Sequence, residues 1–118
     1  MANQGWIGVD LDGTLAEYTG WKGHRHVGQP VMPMLERVKR WIAEGRNVKI
    51  FTARVSGDRA EAQEVRGAIA KWLVSNGLPI LEVVCCKDYA MIELWDDRAV
   101  QVVPNIGEPV GHSTRGLA

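Results

Sequence analysis

Asp10 and Asp12, with Gly13 directly after them, place two carboxylates close together near the start of the chain. A second acidic pair, Asp96-Asp97, lies near the other end, with Thr52 and Lys87 between. Such a set suits phosphoryl transfer. A carboxylate can attack phosphorus and form an aspartyl-phosphate, dividing one difficult displacement into two easier ones. Crowded carboxylates repel one another unless a cation holds them, and an all-oxygen donor set points to Mg²⁺. Thr52, as a hydrogen-bond donor, and Lys87, as a point charge, are the candidates to bind phosphoryl oxygens. Gly13 would let the backbone turn sharply beneath the phosphate.

These residues must be positioned by the elements around them. Trp6–Val9, Val48–Phe51 and Ile80–Cys85 are short apolar runs without polar alternation, the pattern of strands buried on both faces of a parallel sheet. Met91–Trp95 and Val100–Val103 add a fourth and a fifth strand. The spacing predicts a helix over Pro33–Glu44, with Leu35, Val38, Trp41 and Ile42 on one face and Gly45 past its end. A second helix is predicted over Ala60–Asn76, with Ala62, Val65, Ile69, Trp72 and Leu73 inward and Gly77 as the stop. Asp58, or alternatively Ser56, caps its start, and Gly67 within it suggests close packing on the sheet.

Strand, helix, strand, helix, strand is the order of an α/β domain. The expected architecture is doubly wound and three-layered, Rossmann-like, with a mainly parallel five-stranded sheet. In such sheets ligands bind beyond the carboxyl ends of the strands. Asp10 and Asp12, Thr52 and Arg54, Lys87, and Asp96 with Asp97 all follow strands, so they should meet at one edge. Residues 1–103 form this core, and residues 104–118 read as a weakly ordered tail. The glycine-rich segment Ala16–Pro30 reads as a loop or small hairpin over the first strand.

Bulk composition narrows the function classes. The chain has 118 residues, enough for one hydrophobic core. Its 14 basic and 14 acidic residues balance, so no overall field favours a nucleic acid or a membrane surface. No apolar run has the length of a membrane span. Cys85 and Cys86 are adjacent, so they point to opposite strand faces and pair poorly; they read as buried core thiols of a reducing, cytoplasmic compartment.

Asp10-Leu11-Asp12-Gly13-Thr14 resembles the first motif, DxDGT, of the haloacid dehalogenase (HAD) superfamily. Thr52 is similar to its second motif, Lys87 to the third and Asp96-Asp97 to the fourth, in the same order and over roughly residues 5–103. The resemblance implies Asp10 as nucleophile and Asp12 as general acid and base. It also implies Mg²⁺ held by Asp10, the Asp12 backbone carbonyl and Asp96, with Asp97 as a water-mediated ligand or support. Lys87 is followed by Asp88 where the family commonly has proline.

Asp12 argues against dehalogenation, which has no alcohol leaving group to protonate. About 16 residues separate Thr14 from Val31 and about 34 separate Thr52 from Lys87, too few for a helical cap. The chain therefore resembles the capless type, and Thr52-Ala53-Arg54, Gly28-Gln29-Pro30 and Asp96-Asp97-Arg98 are similar to small phage and bacterial phosphatases. Capless members tend to oligomerise or to act on large substrates. The expectation is a cytoplasmic Mg²⁺-dependent phosphatase for a small phosphate ester, a nucleotide or a nucleic-acid end, with a homo-oligomer as one way to close its site. Trp21, Lys22, His24, His26 and Arg54 are the substrate-recognition candidates. The competing reading is a catalytically idle module that keeps the fold for binding or regulation.

Overall fold

A computed structural model describes residues 5–111. Strand β1 runs Trp6–Asp10, helix α1 Met32–Ala43, strand β2 Asn47–Phe51, helix α2 Arg59–Ser75, strand β3 Val83–Val84 and strand β4 Met91–Trp95. The four strands are all parallel, in the order β3-β2-β1-β4. This is an α/β domain with β1 and β2 at the centre of the sheet.

Both helices form for local reasons that the sequence announces. Pro33 sits in the first turn of α1, where its missing N–H costs nothing, and Met34, Leu35, Val38 and Trp41 are buried at helical spacing. Asp58 caps α2 by accepting the Glu61 N–H at 3.0 Å, whereas Ser56 turns back to donate to the Ala53 carbonyl. Ala62, Val65, Ile69 and Leu73 form the buried stripe of α2. Gly67 does not mark close packing: a side chain built there meets nothing within 4 Å.

The steps β1-α1-β2 and β2-α2-β3 move in one direction across the sheet. With right-handed crossovers both helices then cover the same face. The core agrees: Ile7, Val9, Val48 and Ile50 share one sheet face and join the buried residues of both helices in a single cluster. Trp6, on the other face, is buried outside that cluster, under Lys49 at 4.7 Å and with its Nε1–H donated to Asp88. The expected third layer is therefore not built from a helix among the described residues.

Two expected strands differ for physical reasons. The run Ile80–Cys85 pairs with only one neighbour, as a sheet edge, and only Val83–Val84 are strand; Ile80 is 69% exposed. Cys85 and Cys86 consequently lie in the connector to β4 as exposed, unbridged thiols, not core thiols. Val100–Val103 does not extend the sheet, so the fifth strand is absent among the described residues. Val102 bridges Pro109, and Val103 and Val110 bond to Glu108 and Gln101, making a small hairpin turned at Asn105. The expected tail thus begins as this hairpin, and residues 112–118 lie outside the described residues. Among the described residues no helix is long and apolar enough to cross a membrane.

Candidate active site

Asp10 is the last residue of β1, paired with Phe51 of β2, so it projects at the carboxyl edge of the sheet. The chain then coils tightly, with Leu15 and Ala16 donating N–H groups to the Leu11 carbonyl. Gly13 in this coil has φ +91°, and a Cβ there would stand 2.5 Å from Asp97 Oδ2. Glycine is required twice over, by conformation and by the carboxylate lying against it. Its N–H is used by the Ala16 carbonyl at 2.8 Å, so Gly13 shapes the turn and does not donate to a phosphate.

Beyond β4, Asp96 and Asp97 come back to the same point. One oxygen each of Asp10, Asp96 and Asp97 lies within 4.8 Å of the others. Thr14, four residues after Asp10, joins them: its Oγ1 lies 3.3 Å from Asp10 Oδ2 and 3.2 Å from Asp97 Oδ1, and it accepts the Asp97 N–H at 3.0 Å. Asp96 accepts the Arg98 N–H at 2.8 Å. Arg98 thus fixes Asp96 through its backbone. Burial, then the Asp96 carboxylate and then Asp97 push the Asp10 carboxyl up to about 7. Octahedral Mg²⁺ has oxygen ligands at about 2.1 Å, so oxygens opposite one another across it are about 4.2 Å apart. The three carboxylates offer that donor chemistry, with oxygens within 4.8 Å of one another.

The Asp12 carboxylate points elsewhere. Arg54 grips it in a fork, Nε to Oδ2 at 2.8 Å and Nη2 to Oδ1 at 2.7 Å. The same guanidinium donates through Nη1 to the carbonyls of His24 and His26, at 3.2 and 2.6 Å. Four of its five N–H groups are thereby used, and the side chain is only 7% exposed. Arg54 is a strut between Asp12 and the loop, not a free anion receptor as expected.

Thr52 ends β2 and is 3% exposed. Its Oγ1 accepts the Arg54 N–H at 3.2 Å, which leaves its own O–H to donate. Thr52 lines a cavity of about 560 Å³ together with Asp10, Asp12, Asp96 and Asp97. Tyr18, Trp21 and Arg98 line it as well. Lys22 and His26 line a neighbouring cavity of about 200 Å³ that shares Asp12, Tyr18 and Arg54. His24 instead turns to α2, with Nε2 2.7 Å from Glu64.

Lys87 is exposed and stands apart from the cavity wall. The reason is the short connector. Val84 is level with Phe51 at the carboxyl edge, whereas Met91 is level with Trp6 at the opposite edge. The chain must descend the sheet and cross two strands between them in a short connector, which ends in a turn closed by the Met91 N–H on the Asp88 carbonyl at 3.1 Å. Lys87 lies midway along this descent. Lys49 is no substitute, since it pairs with Glu82 at 3.3 Å inside β2.

Thr14, Tyr18 and Arg98 are the site residues that sequence reasoning passed over. Thr14 carried a signal, a hydroxyl one turn beyond Asp10; Tyr18 and Arg98 depend on how two loops fold.

No protein-family model matches the chain, and no curated protein matches it. The fold is similar to a solved structure described as a conserved protein coded by a locus from Bacteroides thetaiotaomicron. That chain is 19% identical, with a TM-score of 0.53, over 85% of this chain and 81% of the other. The likeness supports the α/β fold.

Proposed function

We propose that this chain is a Mg²⁺-dependent phosphomonoester hydrolase of the capless HAD type, built on a Rossmann-like domain. The observation that carries the reading is the gathering of the Asp10, Asp96 and Asp97 carboxylates in one cavity with Asp12 and Thr52. Two of these acidic groups follow β4 and one ends β1, so the fold brings them together from distant parts of the sequence. Burial first, and then the neighbouring Asp96 and Asp97 carboxylates, raise the Asp10 pKa, a shift that a bound cation would oppose.

Asp10, Asp96 and Asp97 would hold Mg²⁺, which supplies positive charge against the transferring phosphoryl group. An Asp10 carboxylate oxygen attacks phosphorus, the ester P–O bond breaks, and the leaving oxygen takes a proton from Asp12. Water then attacks the aspartyl-phosphate and gives a proton to Asp12, releasing phosphate and restoring Asp10. Both Asp12 oxygens accept from Arg54, so each proton transfer requires Asp12 to loosen one of those bonds. The Thr52 hydroxyl donates to a phosphoryl oxygen. The cationic role expected of Lys87 falls to Arg98, the exposed arginine beside Asp96 and Asp97 on the cavity wall.

Substrates within this reading are small phosphate esters, nucleotides or nucleic-acid terminal phosphates, met in the cytoplasm, where the free thiols of Cys85 and Cys86 stay reduced. A homo-oligomer would cover the cavity that lacks a cap. The test is hydrolysis of an aryl phosphate with and without Mg²⁺, by the wild type and by Asp10→Asn. Metal-dependent turnover that the substitution abolishes is the expected result. Equal turnover by Asp10→Asn rejects the nucleophile, and no turnover of any phosphate ester favours an idle binding module.

A further inference from the structure

The Trp21 ring has no packing reason to be where it is. It is 59% exposed on a polar loop, although burying such a ring would stabilise the fold by about 2–3 kcal/mol. One face is backed by the Arg54 guanidinium, 5.1 Å from the ring centroid. Arg54 is itself locked by Asp12 and two loop carbonyls, so this support is rigid.

The loop is held at several further points. Glu17 donates its N–H to the Gln29 carbonyl at 2.8 Å, and Trp72 Nε1–H reaches the Gly28 carbonyl at 2.8 Å. Gly28 passes so close to the Glu17 carbonyl that no side chain fits there. His24 and Arg25 both meet Glu64 on α2, at 2.7 and 3.3 Å. The ring is thus presented in place before any ligand arrives. It lines the same cavity as Asp10 and Thr52, and Tyr18, 51% exposed, lines it too.

We propose that Trp21, backed by Arg54, stacks on the base of a nucleotide whose phosphate lies at Asp10, which makes the substrate a mononucleotide. The inference rests on the phosphatase reading for the position of the phosphate. A flat aromatic ring is sequence-tolerant toward bases, because each base has a π-face. The cavity volume of about 560 Å³ is that of a small-molecule site, and the balanced charge of the chain gives no field for a polyanion.

The test is calorimetric titration of Asp10→Asn in Mg²⁺ with adenosine 5′-monophosphate and with ribose 5-phosphate, which has the same phosphate and sugar without the base. Nucleotide binding about tenfold tighter is expected. That advantage should vanish in Asp10→Asn/Trp21→Ala and largely persist in Asp10→Asn/Trp21→Phe, a variant that keeps an aromatic ring. Equal affinity for the two esters, an advantage that survives Trp21→Ala, or no binding of either ester overturns the proposal. Hydrolysis of ribose 5-phosphate by the wild type tests the phosphatase reading by itself, so the two can fail separately.

Discussion

Arg54 holds Asp12 by both carboxylate oxygens, at 2.8 and 2.7 Å, while its third nitrogen holds the loop above through the carbonyls of His24 and His26. One side chain therefore couples the candidate general acid to the candidate recognition loop. Arg54→Ala should lower turnover of a phosphate ester at least tenfold. It should also destabilise the fold by about 2–3 kcal/mol, toward the low end for a broken ion pair because Asp12 is 23% exposed. Arg54→Lys should rescue little, since an ammonium cannot reproduce the fork. Steady-state kinetics and urea denaturation check both effects.

The two candidate phosphate cations are separable. Arg98→Ala should reduce kcat/KM about tenfold or more, whereas Lys87→Ala should leave it within about twofold. The reverse order would return the cationic role to Lys87 and count against Arg98.

Gly13→Ala introduces a Cβ at positive φ and against Asp97 Oδ2. A stability loss of about 1–3 kcal/mol is expected, together with weaker Mg²⁺ binding as Asp97 is displaced. Thermal denaturation with and without Mg²⁺ reads both, and the metal-induced rise in Tm should shrink in the variant.

The raised pKa of Asp10 gives a pH dependence with a definite sign. Between the unfolded value of 3.8 and the folded value of about 7, the folded state binds more protons than the unfolded one. The Asp10 contribution to metal-free stability is therefore complete below pH 3.8 and is lost as pH rises through about 7. Mg²⁺, which prefers the ionised carboxylates, should raise Tm more at pH 8 than at pH 5. Equal Tm increments at the two pH values would contradict the assignment of Asp10 as a ligand.

The positions of Asp10, Thr52, Asp96 and Asp97 were readable because each lies at or just past the end of a strand whose apolar run is unmistakable. Position along a parallel strand is enough to place a residue at the carboxyl edge. The pairing of Arg54 with Asp12 was not readable, because it depends on where the loop from Glu17 to Gln29 settles. Lys87 and the cysteines were misplaced for a common reason. An apolar run does not reveal whether its strand has one neighbour or two, and β3, at the sheet edge, ends at Val84. Gly67 misled differently, since an absent side chain signals close approach only if something approaches.

The connector from Val84 to Met91 is short for the span it covers, from one edge strand of the sheet to the other. It behaves as a tie-rod drawn across the sheet, joining the edge strand on one side to the strand that carries Asp96 and Asp97 on the other. Lengthening it would let that strand slide against β1 and change the spacing of the three carboxylates without altering any residue that touches the cavity. The tolerance of this fold to insertion should therefore be lowest in a stretch that contributes no residue to the cavity.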